Sequence, residues 1–315
     1  MTVVNDNEGK PNVGDPNVYH ISNKSGTRLA LTRLPCKIDS IKSTNSIVKR
    51  NSTLIGAVPV VLAHGTFSNH RSCKGLALYL SQRGFDCWLL DFQGHGHSAK
   101  PVGSPTFESM CLEDTAAVLE FIGIRYPGQQ MHWIGHSGGG LSILMYLCRN
   151  LNQQKSIASI VTLASQATHA AVVKKHRYAI KVSKLITQAL GFAPGRWFKI
   201  GPENEFANVM LQWYRWSLQG KWLGEDSFDY ENGMRSLTCP LLALAGGGDH
   251  FIAPADGCKH IFNRAGSNHK KFELCGLTTG YKENYSHARL ISSSSASSEV
   301  WPLVSDWLEH YSPQS

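Results

Sequence analysis

Met131-His132-Trp133-Ile134-Gly135-His136-Ser137-Gly138-Gly139-Gly140-Leu141 runs from an apolar segment into a glycine-rich one. The apolar residues 131–135 predict a strand, and Gly138–Arg149 predicts a helix that begins almost at once. Between them stands Gly-x-Ser-x-Gly, at 135–139. Small residues at 135 and 139 let the backbone turn sharply from strand to helix and hold the Ser137 hydroxyl out above the sheet edge. The turn also ends at a helix N-terminus, where free N–H groups favour negative charge.

The same alternation continues on both sides. VPVVLAHG (58–65) is a continuous apolar run that fits a strand buried on both faces, DCWLLD (86–91) reads as a second buried strand, and SIASIVTLAS (156–165), PLLALAGGGD (240–249) and KKFELCG (270–276) read as further strands. Helical segments are expected between them at 71–83, 107–125 and 254–265, with a last one carrying Val300, Val304 and Leu308. Strand, helix, strand, helix at this spacing means an α/β protein with a doubly wound, mostly parallel sheet. VYHIS (18–22) and TRLALTRL (27–34) flank the turn signal NKSG and predict an antiparallel N-terminal hairpin. The interval 167–238 breaks the pattern with about 70 residues of helical character, placed between the fourth and fifth parallel strands. It is expected to be a helical cap over the carboxyl ends of the strands, where open α/β sheets bind ligands. The core is then 17–166 with 239–315, and 1–16 is a loose tail. Residues 36–57 read as a loop or an extra edge strand, and the serine-rich ISSSSASSE (291–299) as a loop before the last helix.

Composition sets the outer limits. Of 315 residues, 42% are apolar and 17% charged, enough for a sizeable core and too few charges for a disordered chain. No run of about 18 apolar residues predicts a membrane span. The polar N-terminus has no apolar segment of a signal peptide, and the eight cysteines contain no C-x-x-C pair. Reduced thiols in a cytoplasm are therefore the expectation. The net charge of +8 fits a generally basic soluble enzyme, with a nucleic-acid or anionic-surface partner as the competing reading. No recognition motif accompanies the charge, which argues against nucleic acid.

A serine hydroxyl is a poor nucleophile until a base takes its proton, and the base is a histidine oriented by a carboxylate. On this kind of sheet the partners follow in the order acid, then histidine. Asp249 closes LAGGGD at the end of the fifth parallel strand, and His287 in YSHARL is the only histidine between the sixth strand and the last helix. Ser137, Asp249 and His287 are thus the candidate catalytic set. Asp226 and Asp229 are the rival acids; His250, His269 and His310 are the rival bases. A tetrahedral oxyanion needs preorganised N–H donors. Gly138 is one candidate, and Thr66 in His64-Gly65-Thr66-Phe67 is the other, with Phe67 the alternative by one position. Asp91, His95 and His97 resemble a metal-ligand set, but a Gly-rich turn accounts for them and no metal is expected. No phosphate loop or dinucleotide fingerprint is present.

Taken in order, HGTF (64–67), DFQGHGHS (91–98), GHSGG (135–139), GGGD (246–249) and YSHARL (285–290) resemble the α/β-hydrolase fold superfamily over roughly residues 17–311. Within it the chain is similar to the bacterial esterase, lipase and serine-aminopeptidase-like branch. Gln93 stands where that pattern usually has arginine. The resemblance implies a Ser-His-Asp triad, no cofactor, and hydrolysis of an ester or similar acyl bond. A thioesterase, amidase, aminopeptidase or acyltransferase would use the same triad. A ligand-binding protein with little turnover is the reading from another class.

Aromatic residues of the 167–238 interval are expected mostly to pack it onto the sheet. A few should line an apolar pocket over Ser137, and Trp213 and Trp216, with Phe67 and His136, are the candidates. Residues 171–200 carry Lys174, Lys175, Arg177, Lys181, Lys184, Arg196 and Lys199 and no acid. That segment reads as a solvated basic face, as a contact for an anionic membrane surface, or as a site for an acidic leaving group.

Overall fold

A computed structural model of the protein describes residues 15, 17–37 and 57–312. The tail expected at 1–16 lies outside the described residues except for Asp15, as does most of the 36–57 segment. In chain order the strands and helices begin with β1 (Val18–Ser22), β2 (Arg28–Leu34), β3 (Val58–Ala63), α1 (Lys74–Ser81), β4 (Phe85–Asp91) and α2 (Phe107–Arg125). There follow β5 (Met131–His136), α3 (Gly138–Arg149), β6 (Ile157–Leu163), α4 (Lys174–Leu190), the two-residue strands β7 (Phe192–Ala193) and β8 (Glu205–Phe206), and α5 (Ala207–Gln219). The chain continues through α6 (Tyr230–Gly233), β9 (Leu241–Gly246), α7 (Ala255–Arg264), β10 (Lys270–Cys275), α8 (Arg289–Ser292) and α9 (Ser294–Tyr311).

Eight strands form one sheet in the order β1-β2-β4-β3-β5-β6-β9-β10. From β4 to β10 all neighbours are parallel, while β1 with β2 and β2 with β4 are antiparallel. Alternation explains why the central strands carry apolar residues on both faces. Val60 and Leu62 of β3 pack into one cluster with α1 and α9, and Val61 and Ala63 into another with α2 and α3. Cys87 and Leu89 of β4 divide from Trp88 and Leu90 in the same way. Every residue of β4, β5 and β6 is buried, as a sheet covered on both faces demands.

Strand order also fixes where a ligand can bind. The chain passes from β3 to β4 on one side, then crosses back to β5 on the other. The loops after β3 and β5 therefore leave the sheet in opposite directions and open a crevice between them. Thr66 and Ser137 lie on those two loops.

The segment between β6 and β9 holds α4, the β7–β8 hairpin, α5 and α6. Its ties to the rest are polar as well as apolar. Arg149, at the end of α3, pairs with Glu108 of α2 and with Asp226 of the segment, each at 2.6 Å. Tyr230 donates to Glu108 and accepts from Arg149 Nε.

Two sequence expectations change. The helix expected over 71–83 is a 3-10 turn at His70–Cys73 followed by α1. The serine-rich stretch 291–299 is helical rather than a loop. Ser293 caps α9 by accepting the Ala296 N–H, and the Ser297 and Ser298 hydroxyls donate to carbonyls three residues back. Serine thus serves both as a cap and as a self-bonded helix residue, and composition alone does not separate these from loop serine. Among the described residues no helix is long and apolar enough to cross a membrane.

Candidate active site

Ser137 sits between β5 and α3 with φ 53° and ψ −118°, a conformation that L-residues rarely adopt. Its backbone is pinned from β6: the Ser137 N–H donates to Leu163 O at 2.8 Å, and Ser165 Oγ donates to Ser137 O at 2.8 Å. The turn closes only with glycine at 135, because a Cβ there would overlap the backbone of Gly139 and Gly140. Ser137, Thr66, Gly138 and His287 all border one cavity of about 410 Å³. Its walls are largely apolar: Phe107 and Leu141 come from the core, and Ile180, Met210, Trp213 and Tyr214 from the β6–β9 segment.

His287 approaches from the loop after β10, and Asp249 from the loop after β9. His287 Nδ1 donates to Asp249 Oδ2 at 2.6 Å, which leaves Nε2 as the ring's free nitrogen for chemistry. Asp249 is buried, and burial raises its pKa; the His287 bond and the N–H groups of Ile252 and Ala253 outweigh that and hold the carboxyl below its ordinary value. The pair can therefore stabilise an imidazolium on His287 while the acid stays ionised.

His136 precedes the serine and borders the same cavity. Its Nε2–H donates to the His287 carbonyl at 2.9 Å, so it braces the loop that carries the candidate base. Burial, with His287 close by, lowers its pKa to about 3, and it stays neutral. His64 is also neutral, lowered to about 4 chiefly by burial. Its Nδ1–H donates to Gly65 O at 2.7 Å and its Nε2 accepts the Phe92 N–H at 3.2 Å, which fixes the start of the Thr66 loop.

Phe67 borders the cavity, but its N–H is engaged elsewhere, with Glu205 Oε2 at 3.3 Å. Of the two N–H groups expected as donors on this loop, that of Phe67 is thus occupied. Trp213 lines the cavity, whereas Trp216 does not: it is fully buried against Phe107 and Trp222, with Nε1 donating to Leu223 O. Two tryptophans three residues apart on α5 thus divide between pocket and core. Asp226 is tied to Arg149, and Asp229 caps α6 by accepting the Asn232 N–H. His250 and His310 are exposed, and His269 lies just before β10, at the far end of the sheet from the cavity.

His70, Asp91 and His97 lie close enough to hold a metal ion. The Asp91 oxygens, however, already accept from His70 N, His70 Nδ1 and His97 N, at 2.7, 2.8 and 2.9 Å. These bonds shape the 91–98 turn. His95, in the same turn, points the other way and meets Glu205 at 3.1 Å with both side chains buried. Glu205 carried no sequence signal. It lies in a stretch without helical or strand periodicity.

An alpha/beta hydrolase fold family model matches residues 58–183. Human gastric triacylglycerol lipase is 27% identical over 203 residues, 59% of this chain and 46% of that protein. The rat protein of the same name is 31% identical over 136 residues, covering 38% and 34%. The matched stretches thus span less than half the length of these curated relatives. Among solved structures, an esterase from Exiguobacterium antarcticum aligns over 92% of this chain and 98% of its own, at 14% identity and a TM-score of 0.64. A thermophilic esterase from Thermogutta terrifontis aligns over 94% and 99%, at 16% identity and a TM-score of 0.61. Strand order, the turn at Ser137 and these likenesses agree: the chain has the α/β-hydrolase fold.

Proposed function

We propose that the protein is a serine hydrolase of carboxylic esters with an apolar acyl group. The observation that carries this reading is the strained Ser137 facing one apolar cavity together with His287, whose far nitrogen is held by Asp249 at 2.6 Å. The relatives and neighbours named above are lipases and esterases, which supports the same class. In this reading His287 Nε2 takes the Ser137 proton as Oγ attacks the ester carbonyl. The Thr66 and Gly138 N–H groups receive the oxyanion. His287 then gives its proton to the departing alcohol, leaving an acyl-serine. Water, deprotonated by His287, attacks that acyl group, and the acid leaves with Ser137 restored.

Residues 167–238 act in this reading as a cap whose helices α4 and α5 supply the acyl wall. The basic face of α4, with Tyr178 and Leu185 exposed, suits contact with an anionic lipid surface. The test is labelling with a fluorophosphonate and mapping of the adduct by mass spectrometry, beside a p-nitrophenyl ester series of rising chain length. An adduct on Ser137 and ester turnover, both lost in Ser137→Ala, are the expected results. Labelling without ester turnover would move the substrate to thioesters or amides. No adduct would overturn the reading.

A further inference from the structure

Phe67 follows Thr66 directly and holds φ 61°, a left-handed conformation without glycine to ease it. Strain of this kind persists only where neighbours enforce it. Here both backbone groups of Phe67 are gripped from the β6–β9 segment. Its N–H donates to Glu205 Oε2 at 3.3 Å, and its carbonyl accepts the Glu203 N–H at 3.0 Å. Asn69 Nδ2, two residues on, donates to Glu203 Oε1 at 2.8 Å. The approach is close enough that a Cβ at Gly201 would overlap the Phe67 carbonyl oxygen.

Glu205 is itself fixed. Its second oxygen accepts the Phe206 N–H at 3.0 Å, and His95 Nε2 stands 3.1 Å from the first. His95 Nδ1 donates to Gln93 O at 3.0 Å, so the ring is anchored in the core turn at 91–98. A water-sized cavity beside the pair is bordered by Thr66 and Gly138, the two N–H donors assigned to the oxyanion.

Resting on the reading above, we propose that Glu205 and His95 are positioning residues for the oxyanion loop. Glu205 reaches from the 167–238 segment under the loop, sets the backbone of Phe67, and thereby aims the Thr66 N–H into the cavity; His95 anchors Glu205 to the core. The charges support this. Burial lowers the His95 pKa, but Glu205 overrides it and raises the imidazole to about 9, while Glu205, despite its burial, is held low by His95. The carboxylate next to the developing oxyanion is thus neutralised by its partner.

The test compares Glu205→Ala, Glu205→Gln and Glu205→Asp on a soluble p-nitrophenyl ester. Loss of a single oxyanion donor costs about 10²–10³ in kcat, so a mis-aimed one in Glu205→Ala should cost about 10- to 100-fold. KM should stay within about twofold, because the interaction is made only in the transition state. Glu205→Gln keeps an oxygen for the Phe67 N–H and should recover most of the loss. Glu205→Asp keeps the charge but not the reach, and should resemble Glu205→Ala even if the latter fails to fold. Affinity for an alkylboronic acid, a tetrahedral mimic, should fall in parallel with kcat. Wild-type kcat in Glu205→Asp, or a loss expressed in KM alone, would overturn the proposal. If the wild-type protein neither turns over esters nor labels at Ser137, the hydrolase reading fails and amide exchange judges the clamp alone. Faster exchange over residues 64–69 in Glu205→Asp than in Glu205→Gln supports it, and equal protection overturns it.

Discussion

His287 with Asp249 and His95 with Glu205 are the same chemical couple in two settings. The first is 2.6 Å long and its histidine side chain is 19% exposed at the mouth of a cavity; the second is 3.1 Å long with both side chains buried to within 1%. A couple that keeps one ring nitrogen toward a cavity can exchange protons with a bound molecule. A couple buried away from the larger cavity can only hold its neighbours in place. On the proposed reading, environment rather than residue type separates the base, His287, from the brace, His95.

Breaking each couple should therefore produce opposite profiles. If the proposed triad is correct, His287→Ala should lower kcat by about 10⁶ and Asp249→Asn by about 10⁴, as the same losses do in serine triads. The Asp249 carboxylate keeps the Ile252 and Ala253 N–H groups when His287 is removed, so both variants should lose far more activity than stability. Steady-state kinetics and a thermal melt on the same samples check this. His95→Gln should do the reverse, with a modest change in kcat and a loss of about 3–5 kcal/mol in urea unfolding, because it strands a buried carboxylate. Adding Glu205→Gln to it should restore part of that stability.

A pH series sharpens the contrast further. The folded-state pKa of His95, about 9, lies above the ordinary 6.5, so its contribution is fully present below about pH 6.5 and is lost as pH rises through about 9. The urea midpoint should fall across that window, and the fall should flatten in His95→Gln. Asp114 marks a second, lower window. Burial pushes this carboxyl up to about 7, against the hydrogen bonds from Gln93 and Asn23. Between about pH 4 and 7 the folded state holds the proton more tightly than the unfolded one, so stability falls as pH rises there, and Asp114→Asn should remove that slope. The smallest effect is expected at α5. Trp213→Ala should move the preferred acyl length and change KM a few-fold, because the side chain borders the cavity rather than the reacting atoms.

The sheet is legible because strands covered on both faces are apolar over most of their length: Val58–Ala63 has no polar side chain, and Phe85–Asp91 and Ile157–Leu163 carry only two each. Ser137, Asp249 and His287 could be chosen because each directly follows such a strand or the loop beyond it, where chain order restricts the candidates. Glu205 could not be chosen. Its partners, Phe67 and His95, are 138 and 110 residues away, and the hairpin that carries it is two residues wide. Trp216 reads as a pocket residue because spacing shows which residues share a helix face but not how far round the pocket extends. The serines that cap and open α9 read as a loop for a related reason, since capping depends on where a hydroxyl points.

Three of the five non-glycine residues with positive φ among the described ones, Phe67, Ser137 and Ala164, border the same cavity. At about 1–3 kcal/mol each, they gather backbone strain along the cavity wall. Selection for heat resistance alone would reach these positions early, by letting glycine or a flattened turn release them. A lineage of this chain hardened in that way should melt later and recognise its ligand less well. A thermostable variant that kept all three dihedrals would mark a cavity whose shape had been worth its instability.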